Sequence, residues 1–357
     1  MSKQNETLAL MPSHAVTAIA CVWAFMTALA FVGNLLVILS VLLAKKLRTV
    51  TNAFVVNLSV ADLWSCLSYP WMIVAQVSPG GWPLASEVPC TVAALQFDTS
   101  LCVRVFTLAA VAVNRLVLTT VCRATYRRLY SPRKVIGMIA TTWVVSCTIV
   151  FLPYVLEISE PGYYPEDKIC STKDGFHGRK FTYEIIESSC LVLSLTIAVI
   201  SYAVLYARSV LQKRDQALRV DNQPHDEVVV TERRMFFLEI SIRDATRQKI
   251  TNPDQEQATT KILLIAFCIM LLLVLPFLIA LVASADHKFV VYSMTIAILT
   301  SCVNPIIYAF GHPHFKAVLP KVARCRYSEI LKPSYFLQAM LQPSSIALNK
   351  ESSEPLA

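Results

Sequence analysis

Charge is what this sequence has least of. Asp, Glu, Lys and Arg make up 16% of its 357 residues, against roughly 25% in a soluble domain. The mean hydropathy is +0.54 and hydrophobic residues reach 55%, more apolar surface than a water-soluble fold could hide. Two further absences narrow the class. No internal repeat is found, which removes the main sequence support for an inverted-repeat transporter. No cleavable signal peptide is found either. The first apolar run follows a polar start and is longer than a signal h-region, so it is expected to stay as a first helix.

What is present is a set of long apolar runs: residues 15–44, 51–77, 88–121, 135–156, 181–211, 262–285 and 289–310. Each exceeds the roughly 20 residues that a bilayer demands. Lipid offers backbone groups no partners, and runs this long are not barrel strands, so the spans are expected to be helices. The expected fold is an all-α membrane protein, a single seven-transmembrane helix bundle.

Orientation follows from Lys and Arg in the short loops. Lys45, Lys46 and Arg48 follow the first span, Arg123, Arg127, Arg128, Arg133 and Lys134 separate the third from the fourth, and Lys316, Lys321, Arg324 and Arg326 follow the seventh. The positive-inside rule makes these ends cytoplasmic and the N-terminus extracellular. The net charge of +8 mostly reflects this bias, and its partners are anionic lipid and cytosolic proteins, with no nucleic acid implied. Residues 1–14 then form an extracellular N-terminus, with a glycosylation sequon at Asn5. Residues 15–310 form the bundle, and within it 212–260 read as a charged, mobile third cytoplasmic loop. Residues 311–325 form a short amphipathic juxtamembrane helix with Phe315, Val318 and Leu319 on its apolar side, and 326–357 a disordered cytoplasmic tail with Ser344, Ser345, Ser352 and Ser353 as phosphorylation candidates. A second sequon triplet, Asn57-Leu58-Ser59, falls inside a span and is excluded.

Arg104 is a full charge near the middle of the third span. It and Asp62 in the second each lie eleven residues from the cytoplasmic end of their segments, about 16 Å deep at 1.5 Å per residue. An isolated charge at that depth costs about 2.5–3.5 kcal/mol on insertion scales, so intramembrane ions pair or serve a function. Eleven residues also separate Arg104 from Arg115, a rotation of about 1100°, which returns to within roughly 20° of the same face. Both arginines are expected to look into the bundle, with Arg104 level with Asp62. Pairing between them competes with Arg104 bonding backbone carbonyls instead.

Most of the eleven cysteines lie in spans or on the reducing side. Cys90 and Cys170 fall on the oxidising outer side, where a disulfide tying the loop after the fourth span to the third helix is the favoured reading. Cys325, just past the amphipathic stretch, is a palmitoylation candidate or an unmodified thiol.

An ordered set of motifs then gathers along the chain: Gly33-Asn34, Asn57-Leu58-Ser59-Val60-Ala61-Asp62-Leu63, Trp82, Cys90 with Cys170, Arg115, Trp143, Tyr202, Pro276 and Asn304-Pro305-Ile306-Ile307-Tyr308. Together they resemble the rhodopsin-like (class A) G-protein-coupled receptors over about residues 15–325. Asn114-Arg115 and Lys46-Leu47-Arg48 are similar to the melatonin-like and trapped-in-endoderm-like receptors, from which Leu116, Val274 and Asn304-Pro305 depart. The resemblance implies a plasma-membrane receptor that passes an extracellular ligand signal to heterotrimeric G proteins, with arrestin and a receptor kinase as further partners. It implies no enzyme, cofactor or metal. Arg115 and Tyr308, with Tyr202, Pro276, Asn304 and Pro305, become the cytoplasmic switch. Asn34, Asp62, Arg104 and Asn304 become a buried polar core. In most members of that family the position of Arg104 is small and polar and a sodium ion can sit beside the aspartate; here a tethered cation would take that place.

The departures bear on signalling. The usual acidic residue before the arginine is Asn114, the usual tyrosine after it Leu116, the sixth-helix tryptophan Val274, and the fifth-helix proline Ser194. A neutral Asn114 cannot hold Arg115 by a salt bridge. For the ligand, Phe97 shares the inward face with Arg115, and Asp98, Glu184 and Glu187 form an acidic pocket for a cation, or else face water at helix ends or pair with Arg179 and Lys180. The seventh span contains no lysine, which excludes a retinal Schiff base. Two rival readings stay open: a seven-span transporter or channel with an Asp62/Arg104 ion path, and a receptor-shaped protein that no longer signals.

Overall fold

The computed structural model describes residues 13–78, 80–165, 168–174, 180–221, 253–282 and 287–341. Seven described helices are long and apolar enough to cross a membrane: Ser13–Leu43, Val50–Val77, Val88–Thr120, Pro132–Val155, Glu187–Leu211, Ala258–Ala280 and Lys288–Gly311. The seven-helix expectation is borne out, and the chain is a multi-pass membrane protein. The third helix is the axis of the bundle, packing against the second, fourth and fifth. Large apolar side chains such as Phe25 and Leu272, 70% and 68% exposed, stand on the outside, a surface suited to lipid.

The second span is not one helix. It runs Val50–Cys66, turns at Leu67 and Ser68, and resumes at Tyr69–Val77. Pro70 explains the break: without an N–H it cannot bond the Cys66 carbonyl four residues back, and at the turn the Ser65 carbonyl accepts from both Ser68 N at 2.9 Å and Ser68 Oγ at 2.7 Å.

The loop after the fourth span departs from the all-α expectation. Ser159–Tyr164 and Ile169–Asp174 pair as an antiparallel hairpin with Tyr163 opposite Cys170. The Cys90–Cys170 disulfide, Cα–Cα 5.1 Å, fixes the hairpin to the start of the third helix. Thr91 Oγ1 donates to the Pro161 carbonyl at 3.0 Å and Tyr163 N to Glu87 Oε2 at 3.2 Å. The hairpin is therefore laid against the N-terminal end of the third helix.

The fifth helix continues to Asp221 and the sixth begins at Pro253, so both ends of the 212–260 region are helical. Residues 222–252, with Val228–Val230 and Met235–Leu238, lie outside the described residues, as do Asn5 and the four tail serines. Past the seventh span, Pro313–Ala323 is the amphipathic helix, with Phe315 and Val318 buried. The expectation of disorder after Arg326 is corrected for residues 327–341; residues 342–357 lie outside the described residues. Tyr327–Glu329 forms a turn of 3-10 helix and Tyr335–Leu341 a short α-helix, because Ile330 and Leu337 find an apolar cluster with Leu43, Ala44 and Leu47.

Candidate functional site

The polar core is built where three helices bring short side chains to one depth. Arg104 Nη1 donates to Asp62 Oδ1 at 3.3 Å, Thr300 Oγ1 at 2.8 Å and Ser301 Oγ at 2.9 Å. Its Nε donates to the Ser100 carbonyl at 3.3 Å and its Nη2 to Ser100 Oγ at 3.4 Å. Asn304 Nδ2 donates to the other carboxylate oxygen, Asp62 Oδ2, at 3.3 Å. Arg104, Asp62, Ser100 and Thr300 are wholly buried. A buried ion pair holds only when its remaining donors and lone pairs are also satisfied, and the serines and threonine do that here. The arginine thus makes both the ion pair and a backbone bond.

Gly33 and Asn34 fit the first helix against the seventh. Pro305 has no N–H, so the Ser301 carbonyl loses its helical partner; Asn34 Nδ2 supplies one at 2.9 Å. The backbones come so close there that a Cβ on Gly33 would stand 2.9 Å from Pro305 Cβ. Asn57, the excluded sequon, is buried, donating to Thr107 Oγ1 and accepting from Trp143 Nε1, both at 2.8 Å.

At the C-terminal end of the third helix Arg115 is buried, 5% exposed, and lies within electrostatic reach of Tyr202 and His312. Asn114 faces elsewhere. Its Oδ1 accepts from Thr51 Oγ1 and its Nδ2 donates to Tyr126 Oη, both at 3.0 Å, tying the third helix to the second and to the short loop helix Arg123–Leu129. Tyr202 packs on Phe267 with ring centroids 5.5 Å apart, and Tyr308 stacks on Phe315 at 5.6 Å. His312 caps the juxtamembrane helix, its Nδ1 accepting from Phe315 N at 3.5 Å.

Toward the N-terminal end of the third helix, buried Phe97 meets Tyr69 and Phe277 edge-on at 6.4 and 5.4 Å, so Phe277, next to Pro276, packs against the third helix. Asp98 is half-buried and its Oδ2 accepts from Thr172 Oγ1 of the hairpin at 3.4 Å. Glu187 is buried, its Oε1 accepting from Cys102 Sγ at 3.8 Å, and the two carboxyl groups act on each other across the third and fifth helices. Glu187 therefore faces the bundle. The side chain of Glu184 lies outside the described set. Cys325 is exposed just past the juxtamembrane helix.

Sequence reasoning did not name Ser100, Thr300, Ser301, Thr51 or Tyr126. Two of these carried a signal: Ser100 lies one turn before Arg104, and Ser301 is the residue whose carbonyl Pro305 leaves free.

Residues 33–308 match the model of the 7 transmembrane receptor (rhodopsin family). The chain is 37% identical over 181 residues to melatonin receptor type 1B of Rattus norvegicus, covering 50% of this chain and 47% of that one. It is 34% identical over 162 residues to melatonin receptor type 1B-A of Danio rerio, 45% and 54% of the two chains. Against the alpha-1D adrenergic receptor of Mus musculus it is 27% identical over 330 residues, 83% of this chain and 55% of that one. The chain thus spans about half the length of the curated relatives it matches.

Proposed function

The chain belongs to the rhodopsin family of seven-transmembrane receptors, and on that premise we propose that it couples an extracellular ligand to heterotrimeric G proteins at the plasma membrane, with its N-terminus outside. The observation that carries this reading is the cytoplasmic constellation: buried Arg115 beside Tyr202, with Tyr308 stacked on the juxtamembrane helix. The proline-kinked sixth and seventh helices give this end elements able to swing. Arrestin and a receptor kinase are the further partners of this reading.

The ligand is a small cation with an apolar body. Phe97, Tyr69 and Phe277 supply aromatic walls, and Asp98 with Glu187 two mutually acting carboxyl groups that a cationic ligand would hold ionised. A transporter reading is opposed by the core itself, since Arg104 fills the carboxylate's surroundings with a tethered cation and spends donors on the second and seventh helices. A G-protein dissociation panel in cells, with and without the receptor, tests the proposal. Arg115→Ala should abolish activation while surface expression stays largely intact, and undiminished signalling by that variant would overturn the reading.

A further inference from the structure

The segment that follows the juxtamembrane helix is pinned at a defined depth. Ser334 N donates to the Leu43 carbonyl at 2.8 Å and Lys45 N to the Lys332 carbonyl at 3.1 Å, with Ala44 bridged to Pro333. Leu43 and Lys45 are the residues at which the apolar first span gives way to the basic Lys45-Lys46 pair. Residues 332–335 therefore lie at the boundary between the hydrocarbon and the cytoplasmic headgroups.

The segment is two-sided. Ile330 and Leu337 turn inward, 4% and 2% exposed, while Leu331, Tyr335 and Phe336 stand out at 71%, 70% and 62%. Three large apolar or aromatic side chains in six residues are out of place on a face wetted by cytosol, but they are what an interfacial element carries. The charge around them is of one sign. Lys45, Lys46, Arg324, Arg326 and Lys332 are all exposed, and the one described carboxylate among them, Glu329, pairs with Arg326 at 3.7 Å. Lys45 Nζ donates to Tyr335 Oη at 3.2 Å and lies 4.5 Å from the ring centre, so the aromatic ring and the ammonium sit at one level, as at a membrane surface.

We propose that residues 330–341 form a second membrane anchor, distinct from the helix Pro313–Ala323. Leu331, Tyr335 and Phe336 enter the inner leaflet, and Lys45, Lys46 and Lys332 engage anionic lipid headgroups. Both interactions hold the first cytoplasmic loop and the proximal tail together against the bilayer, and anionic lipid sets how firmly.

The full-length receptor tests this in nanodiscs of phosphatidylcholine alone or of phosphatidylcholine with phosphatidylserine. A photo-crosslinking amino acid at Phe336, an exposed position that leaves the core untouched, should give lipid adducts by mass spectrometry, and more of them with phosphatidylserine. Amide exchange over residues 334–338 should slow with phosphatidylserine, and Lys332→Gln should cut that gain up to about fivefold, the value of one basic residue at an anionic surface. Absence of lipid adducts, an exchange rate indifferent to lipid charge, or crosslinking in cell membranes to a cytosolic protein in place of lipid would overturn the proposal.

Discussion

Arg104 Nη1 stands 3.3 Å from Asp62 Oδ1, with both side chains sealed from solvent. The carboxylate's second oxygen accepts from Asn304 and the guanidinium's spare donors reach Ser100, Thr300 and Ser301, so this contact links the second, third and seventh helices through one ion pair. Removing one partner leaves an uncompensated buried charge, whereas removing both leaves a neutral cavity.

Asp62→Asn and Arg104→Ser should therefore each cost about 3–5 kcal/mol, and the double variant less than the sum. Thermal unfolding of the purified receptor gives the cycle; strict additivity would mean that the two charges do not stabilise each other. Because Arg104 occupies the carboxylate's cation position, exchange of sodium for potassium should leave wild-type ligand affinity unchanged, and the double variant should gain a sodium dependence. A sodium-sensitive wild type would contradict the tethered-cation role.

Asn114 bonds Thr51 and Tyr126, which a carboxylate at the same place can also do, with both hydroxyls donating. Asn114→Asp therefore changes charge with little change of contact. The new carboxylate keeps facing Thr51 and Tyr126, so it acts on the adjacent Arg115 through its field and not by contact, and that attraction should lower basal G-protein signalling. An unchanged basal signal in the dissociation assay would remove the lack of a restraining carboxylate as a source of basal activity.

Gly33→Ala puts a methyl group 2.9 Å from Pro305 Cβ, backbone-borne on one side and ring-bound on the other, so neither can swing away. Overpacking of this kind costs about 1–3 kcal/mol, and it also pushes Asn34 off the Ser301 carbonyl. A melting temperature equal to wild type would show that the first and seventh helices slide apart freely.

The spans and the polar core were legible because membrane physics leaves few solutions: apolar length dictates helices, and a charge at mid-depth demands company. Asp62 and Arg104 could be put at one level by counting residues alone. The break at Leu67 and Ser68 was signalled by Pro70, a proline that apolar run length conceals. The hairpin was not legible, since Ser159–Tyr164 and Ile169–Asp174 lack the alternation of apolar and polar residues that marks a strand, and Pro161 and Gly162 read as a turn. The packed segment 327–341 was missed for a different reason. Its burial rests on two single residues, Ile330 and Leu337, meeting a cluster formed by the distant Leu43 and Leu47, and such a long-range contact leaves no local pattern. Asn114 was read as a missing restraint on Arg115, while its actual partners depend on where a cytoplasmic loop folds.

The cap of the juxtamembrane helix should be pH-sensitive. His312 Nδ1 can accept from Phe315 N only when that nitrogen is unprotonated. Burial, then the charges of His314 and Arg115, pull the His312 imidazole down to about 4. The neighbouring His314 is lowered as well, by burial and by Lys46, so neither ring competes for a proton at neutral pH. The folded value lies below the ordinary 6.5, so between pH 6.5 and 4 the unfolded state binds more protons than the folded one. The cap's contribution is whole above pH 6.5 and is lost as pH falls through that window. Amide exchange at Phe315, corrected for its intrinsic pH dependence, should lose protection on acidification from pH 7 toward 4. His312→Asn keeps a capping acceptor that does not titrate, so its profile should be flat over the same range. Parallel profiles for the two proteins would place the pH response in another group.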